Sequence, residues 1–214
     1  RVLASTCANG SSEMVTNLSA SVVSILYNFQ LMSIAGENGV AAYGVIMYVN
    51  IIFMAIFLGY SIGSAPIVSY HYGAENHTEL KSMFRKSLIL LTVSGVILVV
   101  LSELVARPLV MIFTSYDPEL LDMTASGFQL YALAFLPMGF NVWGSAFFTA
   151  LNNGAVSACI SFLRTLVFQV IVVLMLPILL GIDGIWLSIV AAELLSLAVT
   201  VSFLLVKRKR YQYA

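Results

Sequence analysis

The sequence predicts an all-α integral membrane protein, folded as a bundle of six transmembrane helices. Three observations carry that prediction. Of the 214 residues, 60% are apolar and only 9% are charged, whereas an ordinary soluble domain carries roughly 25% charged residues. The apolar residues gather into runs bounded by Gly, Pro and charge, each long enough to cross about 30 Å of hydrocarbon as a helix of about 20 residues. The runs lack the two-residue alternation of barrel strands, and a helix satisfies every backbone amide internally where no water is available.

The runs cover residues 13–35, 39–70, 86–114, 119–150, 155–180 and 184–206, read together as one transmembrane unit over 1–214. Several exceed the minimum span, so tilt, kinks or protruding ends are expected. In the first run Glu13, Asn17, Ser21, Ser24 and Asn28 lie within a sector of about 80° at 100° per residue. Lipid would not tolerate such a face, which must bond other helices or line a water-filled cavity. Glu13 is a candidate ion or proton site, since an acid in a spanning segment is costly; its place near the helix start also allows a solvated end.

The second run carries Tyr43, Asn50, Met54, Phe57 and Ser61 on one face, suited either to helix packing or to an adaptable apolar pocket with polar handles. Gly59 and Gly63 stand at the GxxxG spacing of close helix contacts, followed by Pro66. The stretch "SYHYGAENHTELKSMFRKS" then ends the apolar run in a turn and leads to the third, where Glu103 and Arg107 at helical spacing read as an interfacial ion pair. Asp117 and Asp122 belong to loops or helix ends where water suffices.

The fourth run bends at Pro137 and then aligns Asn141, Ser145, Thr149 and Asn152. In the fifth, Ser157, Ser161 and Arg164 share a face; Arg164 either snorkels to the interface or pairs with an acid of another helix. The sixth aligns Trp186, Glu193, Ser196 and Thr200, with Glu193 near mid-run, which makes it a second candidate acid.

Charge sets the orientation. With Arg1 cytoplasmic, six crossings place Lys81, Arg85, Lys86, Arg164 and Lys207 to Arg210 on or near the same side, and only Arg107 opposite. That asymmetry follows the positive-inside rule and puts both ends of the chain in the cytoplasm. The terminal basic run is an orientation anchor able to touch anionic lipid, and it does not imply nucleic acid. Cys7 and Cys159 show no pairing or metal spacing, His71 and His77 read as loop residues, and no HExxH, GxSxG or P-loop is present. The expectation is a protein that is not an enzyme, with no metal and no cofactor.

"PIVSYHYGAENHTELKSMF", residues 66–84, resembles the helix-end and loop signature of multidrug and toxic compound extrusion (MATE) transporters. "AAYG" at 41–44, "SFLRTLVFQ" at 161–169 and "GIDGIWLSIVAAELLS" at 181–196 follow in the family's order. The resemblance is to helices seven to twelve of a twelve-helix protein, in the branch of bacterial multidrug and DNA-damage-inducible exporters. It implies one of two lobes facing each other across a cleft in the bacterial inner membrane, with the N-terminal lobe missing here and serving as partner. The implied activity is export of lipophilic cationic drugs by alternating access, in exchange for protons or sodium ions.

By the same resemblance Glu13 matches the acid of the family's seventh helix, and Glu193 a position where relatives often carry an acid. The tenth-helix aspartate of some relatives has no counterpart around Met138 to Asn141, which disfavours their sodium geometry. The expected cation and substrate site is therefore Glu13, Asn17, Ser21, Ser24, Asn28, Tyr43, Asn50, Met54, Asn141 and Glu193. Two alternatives stay open. A flippase for a lipid-linked sugar would call for an Arg-rich cleft, where Arg164 is the sole interior candidate. A noncatalytic membrane subunit would use the polar stripes as packing contacts.

Overall fold

A computed structural model describes residues 18–214 with their side chains. The described residues form helices and no strand, in the order α1 (Val2–Gly73), α2 (His77–Thr114), α3 (Pro118–Ala132), α4 (Phe135–Ala150), α5 (Gly154–Phe162), a π-helical turn (Leu163–Val167), α6 (Phe168–Leu180) and α7 (Ile182–Tyr211).

The apolar part of α1, Leu18–Gly73, has 56 residues, or about 84 Å at 1.5 Å per residue, far more than one bilayer crossing. It is divided at Gly36, whose φ of 63° and ψ of −150° belong to no helix and suit a residue without a Cβ. The chain folds back there. Tyr27 and Tyr43 stack with ring centroids 5.3 Å apart, whereas 16 residues of straight helix would separate them by about 24 Å.

α1 ends in a turn through Glu75, with φ of 55°, and Asn76 starts α2 by accepting a hydrogen bond from the Glu79 N–H at 3.2 Å. This cap begins α2 at His77, before the apolar run at 86, because the polar first turns are held by Asn76 rather than by lipid. The buried residues of α2, including Leu80, Ser87, Leu91, Gly95, Leu98, Ser102 and Ala106, form one stripe at helical spacing. Ile89, Val93, Ile97, Val100 and Leu104 are exposed, the surface that lipid covers.

Asp117 caps α3, accepting from the N–H groups of Glu119 and Leu120 at 2.9 and 3.2 Å. α3 and α4 meet at 50°. The bend lies at Leu133 and Ala134, just before Pro137, because proline has no N–H to bond its i−4 carbonyl and its ring crowds that group. α4 is the central element, burying Phe135, Met138, Asn141, Trp143, Phe147 and Phe148.

α5 runs through the π-turn into α6, and α7 packs back along α6 from a turn at Gly181, with φ of 59°. After α7 the chain tucks inward: the Tyr213 hydroxyl donates to the Leu204 carbonyl at 2.7 Å, and its ring packs 4.9 Å from Phe84 and 5.0 Å from Phe147.

Two expectations are corrected. Arg107 pairs not with Glu103 but with Asp122 at 3.0 Å, because α3 folds back beside α2 and brings a carboxylate closer than the one on its own helix. Among the described residues Gly59 and Gly63 make no close helix contact: none lies within 4 Å of a Cβ built on either. Of the two readings of the second run's face, Phe57 takes helix packing: it is buried against Gly139, where an added Cβ would lie 2.6 Å from its ring, and joins α1 to α4.

Candidate functional site

Glu13 and Asn17 lie outside the described residues. Of the other sequence-predicted residues, the structure gathers Ser24, Tyr43, Asn50, Met54 and Glu193 around one open-sided chamber of about 220 Å³. Asn141 stands behind it, bonded to Glu193. Ser21 is exposed, and Asn28 turns back to donate to the Ser24 carbonyl at 2.8 Å; neither lines the chamber. Ser24 keeps its place there because it lies one turn from Tyr27, which is buried against Tyr43.

The polar centre of the chamber is an ion pair. Arg164 Nε donates to Glu193 Oε1 at 2.8 Å and to Oε2 at 3.1 Å. The Glu193 side chain is 1% exposed and that of Arg164 13%. This decides between the two readings of Arg164: it pairs with an acid of another helix. A carboxylate so far from water as that of Glu193 needs partners on both oxygens, and it has them. Asn141 Nδ2 donates to Glu193 Oε2 at 2.7 Å and to the Glu193 carbonyl at 2.9 Å, while the Asn141 carbonyl oxygen accepts from Thr200 at 3.0 Å. α4, the π-turn and α7 are thereby joined through one carboxylate.

The π-turn sets the geometry. Its i→i+5 bonding, with the Phe168 N–H donating to the Leu163 carbonyl, widens the turn so that residues five apart come onto one face. Arg164 and Gln169 therefore both line the chamber, although a regular α-helix would separate them by about 140°. Gln169 Oε1 accepts from the Tyr27 hydroxyl at 2.8 Å, tying the first arm of α1 to α6.

The remaining wall is aromatic and soft: Tyr27, Tyr43, Tyr131, Met47, Met54 and Met138. Asn50 offers an Oδ1 that is buried and makes no hydrogen bond among the described residues. Sequence reasoning missed Gln169, because it counted regular turns, and Tyr131 and Met138, which carry no polar signal in a greasy run. Such a wall can take a flat or bulky apolar body and a hydrogen-bond donor, with ring faces open to a cation. Among the described residues no group of three or more His, Cys, Asp or Glu side chains is placed to hold a metal ion.

A second, larger cavity of about 830 Å³ opens beside the chamber between α1, α4 and α5. The two share Ala20, Met54, Arg164 and Thr165 in their walls, so Arg164 stands at the junction.

A family model described as MatE matches residues 14–175, well over half of the chain. No curated protein matches the sequence. Several solved structures share the fold. One is a MATE in complex with MaL6, at a TM-score of 0.88 and 20% identity, covering 96% of this chain and 46% of that one. Another is an outward-facing multidrug resistance MATE family transporter of the MOP superfamily, at 0.87 and 21%, with the same coverage. A third is a MOP superfamily transporter from Pyrococcus furiosus, described as having a binding pocket of reversed polarity that suggests a different function, at 0.84 and 22%, covering 94% and 45%. The chain spans about half the length of the structures it matches.

Proposed function

The chain belongs to the MatE family, and from that premise we propose that it is one lobe of an alternating-access exporter of lipophilic cationic compounds, driven by exchange for protons or sodium ions. The observation that carries the reading is the chamber: a space of about 220 Å³ walled by three tyrosines, three methionines and a few polar groups, in a largely apolar helix bundle. Ring faces attract a cation by about 0.5–2 kcal/mol each once water is excluded, and methionine side chains adapt to bodies of different shape.

The two acids divide the work. Glu193 is held by Arg164 and Asn141, so its charge is already balanced and it shapes the chamber. Glu13 heads the polar stripe of the first arm and supplies the charge for which coupling ion and substrate compete. Protonation there removes the attraction that holds a cation, which links ion entry to substrate release. The second lobe completes the cleft, in a bacterial inner membrane with both ends of this chain in the cytoplasm.

The test is efflux of a fluorescent lipophilic cation by cells carrying the intact protein. E13Q is expected to abolish ion-gradient-dependent efflux while leaving the amount of protein in the membrane unchanged. Unchanged efflux in E13Q would take the coupling role from Glu13.

A further inference from the structure

The larger cavity differs in chemistry from the chamber. Among the described residues Arg164 is the one ionisable side chain in its wall, and no described acid lines it. Glu193, which balances Arg164, faces the chamber and not this groove. Viewed from the groove, the pair therefore presents its positive end.

The donors there are plentiful and incompletely used. Arg164 engages Glu193 through Nε alone, and among the described residues its two terminal amino groups donate no hydrogen bond. A guanidinium carries five N–H donors in a flat fork matched to two acceptor oxygens. Ser145 bonds Ser157 and Ser161 at 2.8 Å each, and Thr149 donates to Ser157 at 2.7 Å, a chain of hydroxyls whose protons can turn toward an acceptor. Ser61, in a residue only 2% exposed, keeps an Oγ with no partner among the described residues and lines the same groove. A buried hydroxyl left unbonded loses hydration without return; here a ligand acceptor would restore it.

From these groups we infer that the groove is a subsite for an organic anion, an aromatic carboxylate or sulfonate, whose charged head meets the Arg164 fork and the hydroxyls while its body lies on Met54, Leu58 and Ile62. The inference goes beyond the cation reading, stands without it, and gives the lobe a second subsite of opposite sign. Glu193 competes for the same guanidinium, so removing its charge strengthens the anion's hold on Arg164.

The probe set is benzoate, benzyl alcohol and benzylammonium, three molecules of one shape and three charges, titrated into the intact protein in detergent. Benzoate is expected to bind more tightly than the other two. E193Q, which keeps the hydrogen bond from Asn141, is expected to tighten benzoate, and S61A to weaken it. R164Q/E193Q, which leaves no unpaired charge behind, is expected to lose about tenfold or more, the scale of one charge-assisted hydrogen bond. A preference for benzylammonium, or equal benzoate affinity in E193Q and R164Q/E193Q, would overturn the inference. Should the double variant not fold, E193Q decides alone: benzoate binding no tighter than wild type also overturns it. The outcome is independent of E13Q efflux, so either reading can fail without the other.

Discussion

At Glu193 the carboxylate meets a guanidinium 2.8 Å away and an amide 2.7 Å away, with 1% of its side chain exposed. Removing one member of such a pair leaves a charge stranded in the bundle, at a cost of about 3–5 kcal/mol, whereas replacing both by apolar groups is often neutral or stabilising. R164M alone should therefore lower the thermal unfolding midpoint strongly, and R164M/E193L should recover most of the loss. Equal destabilisation by the single and double variants would show that the pair is not the unit that matters. N141A is expected to cost about 1–3 kcal/mol by leaving the Thr200 hydroxyl without its acceptor and Glu193 Oε2 with Arg164 as its one remaining donor among the described residues. At this scale the sequence spoke clearly where a charge or amide interrupts a greasy run, as at Glu193 and Asn141. It said little of Tyr27, Tyr131 or Met138, because an apolar side chain in an apolar helix gives no sign of which ones border empty space.

At the scale of elements, each apolar run lies in helix, but α2 begins at His77 rather than at 86 and the fourth run is two helices broken at Leu133 and Ala134, because length and composition decide what can cross a bilayer and not where a cap or a break falls. They could not show how a helix is wound. The π-turn at Leu163–Val167 brings Arg164 and Gln169 onto one wall, and no residue in "LRTLV" announces it. They also misassigned the partner of Arg107, because contact between α2 and α3 depends on the angle at which the chain returns. Two glycines test the element contacts. An added Cβ at Gly127 would lie 2.7 Å from the buried Trp186 ring, so G127A should destabilise by about 1–3 kcal/mol through overpacking of α3 on α7. Gly36 has φ of 63° and nothing within 4 Å of its missing Cβ. G36A should therefore cost backbone strain alone, about 1–3 kcal/mol. If thermal unfolding ranked both as neutral, neither the α3–α7 contact nor the Gly36 break would be set as described.

Across the whole molecule, the lobe is a helix bundle with lipid-compatible outer faces and a polar seam inside, where the Arg164–Glu193 pair separates an aromatic chamber from a hydroxyl-rich groove. The bundle and its family were legible in the order of short motifs along the chain. The division of the interior was not, because it depends on side chains from α1, α4, the π-turn and α7 meeting in space. The central claim is that the chamber receives a solute during transport. Its most direct test is cysteine labelling in the intact protein, with Cys7 and Cys159 replaced and single cysteines placed at Ser24, Asn50 and, as a lipid-facing control, Ile97. A hydrophilic thiol reagent should label S24C and N50C but not I97C, and tetraphenylphosphonium should slow both reactions. If S24C and N50C stayed unlabelled, or reacted at the same rate with and without the cation, the chamber would be a packing defect and the transport account would be contradicted.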